Sequence, residues 1–307
     1  MRSIHLFLTT AFLAVASVTA PAQSAREITS ATAAAPDARA IMIKVDDMAN
    51  HSYSSSIRLI KFSTCRYRVG ADKLECTEKP RILTFDSVHR SYPAEGFRDR
   101  NNKSFDLIID PVSDKGTAML SFGYADDKKD SDFWFYLPAL AKVKRIVSVS
   151  DSNESGAVFG SEVSTEDADI KKIKDYTYEL KGEEVYRGRP AWIVEMTPTA
   201  YRRTRSYYSK IIAWVDKERS VVLKEDLHDR AGRHYKQRSA LNVQQIDGVW
   251  MVTKGSMNNL FSRRITVWEE LRTSLNSEVD DEFLTQRSLT DFAYRERLMN
   301  TYRGHIK

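Results

Sequence analysis

Cysteine is nearly absent from this 307-residue chain, which has only Cys65 and Cys76, and glycine and proline are sparse at 12 and 8. With no close C-x-x-C pair, a redox role is not expected. The glycines are isolated turn formers. No dinucleotide glycine fingerprint, Walker loop, G-x-S-x-G elbow or H-E-x-x-H pair occurs, which counts against the common enzyme classes. His51, His89, His228, His234 and His305 are dispersed, so no metal site is expected among them. Asp126, Asp127, Asp130 and Asp132, mixed with Lys128 and Lys129, lack the D-x-D-x-D-G series and distal glutamate of a calcium loop, and read as a solvated turn. The expectation is a protein without catalytic residues, metal or cofactor. Glu195 and Glu225 are the two strand-interior carboxylates that a lipid-directed enzyme would have to use. Charge of one sign is weak as well: the formal +5 is spread among alternating acids and bases, which does not indicate nucleic acid. No repeat of 20 to 50 residues is present.

Long apolar runs are also missing, with one exception at the start. Arg2 precedes an apolar stretch from Ile4 to Val18, followed by Ala20-Pro21-Ala22, the pattern of a secretory signal cleaved after Ala22. The stretch is shorter than the roughly 20 residues that span a bilayer. Residues 1–22 are therefore read as a signal peptide and the mature chain, of about 285 residues, as exported to the periplasm. In that oxidising compartment Cys65 and Cys76 are expected to pair, with two free buried thiols as the alternative. Residues 23–37, rich in alanine, serine and threonine, read as a flexible N-terminal segment. Asp37 can cap a helix over residues 38–49, in which Ile41, Val45 and Met48 follow helical spacing.

From Ser56 onward the pattern has period two. Phe105, Leu107 and Ile109 alternate with Asp106, Ile108 and Asp110. Similar runs continue to Leu271, separated by turn clusters such as Gly188-Arg189-Pro190 and Asp247-Gly248. The expected fold is mainly β (α+β): a curved antiparallel meander of about eleven strands forming a half-open β-barrel over residues 38–290, with a helical lid. Thr165 to Ile170 should add a short helix with acids in its first turn, and residues 291–307 a C-terminal surface helix carrying Phe292, Leu298 and Met299. A sheet this long must curl, and one or two short helices cannot fill its concave face, whereas an apolar guest could. The candidate lining is Phe105, Leu107, Leu120, Phe122, Trp134, Tyr136, Trp192, Val194, Met196, Ile212, Trp214 and Trp250.

Lys115 to Leu120, then Phe133 to Leu140 with Val143 to Ile146, Gly160-Ser161-Glu162, Glu166-Asp167, Tyr208 to Asp216 and Asp247 to Trp250 occur in an order that resembles the outer-membrane lipoprotein-sorting (LolA-like) family, over roughly residues 40 to 290. The resemblance implies a half-barrel of LolA/LolB type that receives acyl chains of lipoproteins or lipid and has no catalytic residue. It also implies partners, an inner-membrane transporter of RND or ABC type and an outer-membrane acceptor. The chain departs from the family at Ser161 to Asp167, where two aromatics are missing, and in its longer Cys65 to Cys76 segment and tail. A second reading is an envelope interaction module that docks a transporter or assembly complex through its sheet edge and through the basic groups Lys142, Lys144 and Arg145 or Arg202, Arg203 and Arg205, with a fully packed core.

Overall fold

A computed structural model describes residues 36–71, 74–126, 128–146 and 156–306. The signal segment, its cleavage point after Ala22 and residues 23–35 lie outside the described residues. So do Asp127 and the end of the run expected from Val143 to Val149.

The alternating runs form β1 (Ser55–Val69), β3 (Arg81–Tyr92), β4 (Asn101–Asp110), β5 (Ala118–Gly123), β6 (Asp132–Leu137) and β7 (Lys142–Ile146) in the first half of the chain. The second half gives β8 (Tyr176–Tyr186), β9 (Arg189–Pro198), β10 (Tyr208–Asp216), β11 (Val222–Asp229), β12 (His234–Ile246), β13 (Val249–Asn259) and β14 (Arg264–Leu275). A short β2 (Leu74–Cys76) pairs only with β1, and Cys65 and Cys76 form a disulfide with their Cα atoms 5.8 Å apart, within normal bridging distance. Among the described residues fourteen strands stand where about eleven were expected, because each alternating run is its own strand and the disulfide hairpin adds another.

All the pairings are antiparallel, and they join strands consecutive in sequence apart from two made by β1, with β3 across the short β2 and with β14. The contact with β14 joins the chain's first and last strands, so the order runs β7-β6-β5-β4-β3-β1-β14-β13-β12-β11-β10-β9-β8. Among the described residues β7 and β8 are the two edges of the sheet. The sheet is open and curved.

Helix α1 (Ala38–Asp46) starts where Asp37 accepts a hydrogen bond from the Arg39 backbone N–H, satisfying one free donor of the first turn, and ends in a π-helical turn over Asp47–His51. It lies on the second half of the sheet, where Ile41 and Met42 pack with Val194, Met196, Ile211 and Met257. Helix α2 (Thr165–Ala168) is fixed by a reciprocal cap between Ser164 and Asp167. Two further short helices are α3 (Ala200–Arg203) and α4 (Arg287–Thr290).

Helix α5 (Phe292–His305), capped by Asp291, is not the surface helix expected from the sequence. Its buried stripe of Tyr294, Met299 and Tyr302, together with Val279, Phe283, Leu284 and Leu289, covers one face of β1 and β3–β6. There it meets Ile57, Val88, Phe105, Leu107, Leu120, Trp134 and Tyr136. Phe283 stands edge-to-face with Phe105 and with Tyr302, ring centres 5.1 Å apart in both pairs. The tail therefore supplies a complete core for this back face.

Candidate functional site

The opposite face of the sheet encloses a cavity of about 540 Å³, within the range of small-molecule pockets. Its walls come from strands far apart in the sheet order: Met119 and Phe133 of β5 and β6, Trp268 of β14, and Met196 of β9. Only a sheet curved toward itself brings these together. The remaining wall is α1 with its π-turn and residues 158–173.

Along the strands the lining changes character at one level. In β1 the cavity-facing residues read Ser56, Arg58, Ile60, Phe62. In β3, running the other way, they read Ser91, His89, Ser87, Phe85, and in β4 they read Asn102, Ser104, Asp106 and then Ile108. The register aligns these switches, since Arg58, Ser87 and Asp106 lie in one row and Ile60, Phe85 and Ile108 in the next. The cavity therefore has a polar end and an apolar end, the latter completed by Met119, Phe133, Val158, Val163 and Trp268.

Two glycines permit close approaches in this wall. A β-carbon at Gly255 would overlap the Trp268 ring, its register partner, and one at Gly123 would overlap the Asn102 amide.

At the polar end, Arg58 is fully committed: its guanidinium donates to Glu270 Oε1 at 3.0 Å, Tyr53 Oη at 2.8 Å and Ser56 Oγ at 3.1 Å. Burial pushes the Asp106 carboxyl up to about 6, against the pull of its Ser87 hydrogen bond and the Arg58 charge. Burial, with Arg58 and Arg100 adding like charge, pushes His89 down to about 3, so its imidazole is neutral at pH 7. Ser104 and Ser121 share a 2.6 Å hydrogen bond between hydroxyls. Elsewhere in the wall Glu225 sits between Lys171 and Arg238 at 3.7 and 3.6 Å. Glu195 lies on the other face of the sheet, paired with Lys210 at 3.7 Å, so the two carboxylates do not converge.

Residues 161–167 close the cavity and are held by carboxylates. Glu162 binds Arg264 at 2.7 Å and Asn259 at 2.9 Å, and Glu166 binds Arg202 at 3.0 Å and the Tyr207 backbone N–H at 2.9 Å. Burial alone would raise Asp167, but Lys236 at 3.1 Å, Tyr208 and Ser164 hold its carboxyl below the usual range. Polar anchors thus stand in the stretch where the two family aromatics are missing.

Of the twelve candidate lining residues, Phe122, Met196 and Trp250 reach this cavity. Phe105, Leu107, Leu120, Trp134 and Tyr136 belong to the back face under α5. Val194 packs beneath α1, and Trp192 lies at the margin of the same cluster with Lys217 Nζ 3.5 Å over its ring. Ile212 and Trp214 point away on the outer face of β10, where Trp214 donates to Glu184 at 2.6 Å. The difference arises because alternation separates two faces without saying which one the chain's own tail will cover. The polar residues Arg58, His89, Arg100 and Asp106, and the apolar Phe62, Phe85, Met119 and Trp268, were missed. The signal that could have found them is the coincident polar-to-apolar switch in neighbouring strands.

Asp46, Asp47 and His51 have ligand-type atoms within 4.8 Å of one another, the one such group among the described residues. Arg98 already binds both carboxylates, which fits an ion-pair cluster rather than a metal centre.

An open, curved antiparallel sheet thus wraps a cavity, with α1 and residues 158–173 across it. The chain is similar to the crystal structure of a LolA superfamily protein from Nitrosomonas europaea at 20% identity and a TM-score of 0.57, covering 82% of this chain and 98% of that one. An outer membrane lipoprotein-sorting protein domain from Vibrio parahaemolyticus matches at 23% identity and a TM-score of 0.70, covering 82% and 98%. A DUF1329 family protein from Desulfovibrio piger matches at 23% identity and a TM-score of 0.71, covering 82% and 97%. The family model for the DUF1329 uncharacterised proteins matches residues 100–291, more than half of the chain, which belongs to that family. Comparison with curated proteins gives no match.

Proposed function

We propose that this protein is a non-enzymatic periplasmic carrier that shelters an acyl chain, of a lipid or a lipoprotein, in the cavity between its curved sheet and the α1 and 158–173 cover. The carrying observation is the graded lining, an aromatic and aliphatic end joined to a polar end across consecutive register rows. Such a lining suits an amphiphile, because the chain leaves water while the headgroup keeps polar partners. The fold shared with the LolA superfamily, together with a start that reads as a signal peptide, supports the reading. Among the described residues no helix is long and apolar enough to cross a membrane. Donor and acceptor would be an inner-membrane transporter of RND or ABC type and an outer-membrane site, with the protein crossing the space between them.

Native mass spectrometry of protein gently purified from its own envelope tests this directly. Mass adducts released as lipid or acylated peptide are the expected result. A consistently empty protein that also fails to bind a fluorescent fatty acid would overturn it.

A further inference from the structure

One guanidinium at the polar end of the cavity has no acid bound to it among the described residues, although carboxylates outnumber bases along the lining as a whole. Arg58 is matched by Glu270, Glu225 by Lys171 and Arg238, Asp167 by Lys236, and Asp46 by Arg98. Arg100, just before β4, lines the cavity, and among the described residues no hydrogen bond or ion pair reaches it. Its Nε is shielded from solvent without a partner, and so is Nδ1 of His89, which feels the Arg100 charge. A shielded Nε–H without an acceptor forgoes a charge-assisted hydrogen bond, a cost that a bound anion would remove. Asp106 does not supply that acceptor, because it interacts with Ser87 and Arg58. Around Arg100 and His89 the wall carries hydroxyl and amide groups, Ser91, Asn102, Ser104 and Ser121, which can complete the shell of a small oxyanion, and the one carboxyl beside Arg100 in the lining, Asp99, is pushed up by burial and by Asp46.

We infer that this end of the cavity is a receptor for one anionic headgroup, a carboxylate or a phosphate monoester, bound by the Arg100 guanidinium with the neutral His89 imidazole donating beside it. The inference rests on the carrier reading and narrows its cargo to acidic single-chain amphiphiles whose tail runs over Phe62, Phe85 and Met119. A planar fork suits either oxyanion, and the bound group sits at the polar end beyond the Ser87 and Asp106 row, which leaves the apolar rows to the tail.

Titration calorimetry with dodecanoate, dodecyl phosphate and dodecanol, all kept below micelle formation, separates the possibilities. The wild-type protein should bind one or both anions at least about tenfold more tightly than the alcohol, and the tighter of the two identifies the headgroup. Arg100→Met should bind all three as weakly as the wild type binds dodecanol, whereas Arg100→Lys should keep part of the preference, with thermal melting confirming that both variants fold. Equal binding of the three probes by the wild type, or a preference that survives in Arg100→Met, would overturn the receptor and leave the carrier standing. Failure of all three probes to bind the wild type would overturn the carrier reading itself.

Discussion

The two faces of strands β1 and β3–β6 are built from alternate residues of the same segments, yet they have opposite fates. On the back face Phe105, Leu107 and Leu120 are at most 2% exposed and are sealed by Phe283, Leu284, Leu289 and Met299 from the tail. On the front face Ser56, Arg58, His89 and Asp106 give way to Ile60, Phe62 and Phe85 around an open volume. The back face stabilises the sheet, so the front face is free to stay incompletely packed. A protein that must admit a guest needs that division, because a fully packed front would exclude the guest and an uncovered back would invite aggregation.

The largest expected effect strikes the back face. Phe283→Ala removes a fully buried ring from the Phe105 and Tyr302 contacts and should cost about 3–5 kcal/mol in chemical denaturation, with fatty-acid affinity of the remaining folded protein unchanged. A similar loss of affinity would collapse the distinction between faces. On the front face, Asp106 has its folded value raised to about 6 from 3.8, so ionisation costs stability that is fully retained only below about pH 4 and is lost as pH rises through 6. Asp106→Asn should therefore gain about 2–3 kcal/mol at pH 7.5, and the gain should vanish near pH 4 in urea titrations at the two pH values.

A third substitution, Met119→Trp, fills the apolar end of the cavity. It should weaken dodecanoate binding about tenfold or more while melting stays close to wild type, since the added volume occupies free space. The smallest effect belongs to the outer face, where Trp214→Gln loses the Glu184 hydrogen bond and the Lys224 contact 3.8 Å over its ring. A loss of about 1 kcal/mol with unaltered binding is expected there, measured by the same two assays.

Much of this organisation was legible from period two alone. The alternating runs became strands, the Asp37 cap started its helix, and the acids of Thr165 to Ala168 sit in a capped first turn. What alternation could not say was which side of a strand the cargo would see. Phe105 and Leu107 form the more apolar stripe of β4, and that stripe attracted the assignment, but a tail carrying Met299 and Tyr302 at helical spacing had already claimed it. The stripe with Asp106 and Ile108 looks like a poor core in isolation. Its meaning emerges only when register places Asp106 beside Ser87 and Arg58, and Ile108 beside Phe85 and Ile60. Register across strands distant in sequence is a tertiary property, so the cavity was hidden while its walls were in plain view. The burial of the tail was missed for the same reason, since Leu298 and Met299 amid arginines match a surface helix until the sheet beneath them is known.

The central claim is that cargo occupies the front face with its chain at the apolar end. A crystal structure with terminally brominated dodecanoate tests it most directly, through the anomalous signal of the bromine. The account places that peak in contact with the walls formed by Phe62, Met119, Phe133 and Trp268. A bromine peak on the back face beside Phe105 and Phe283, or on the outer face beside Trp214, would contradict it.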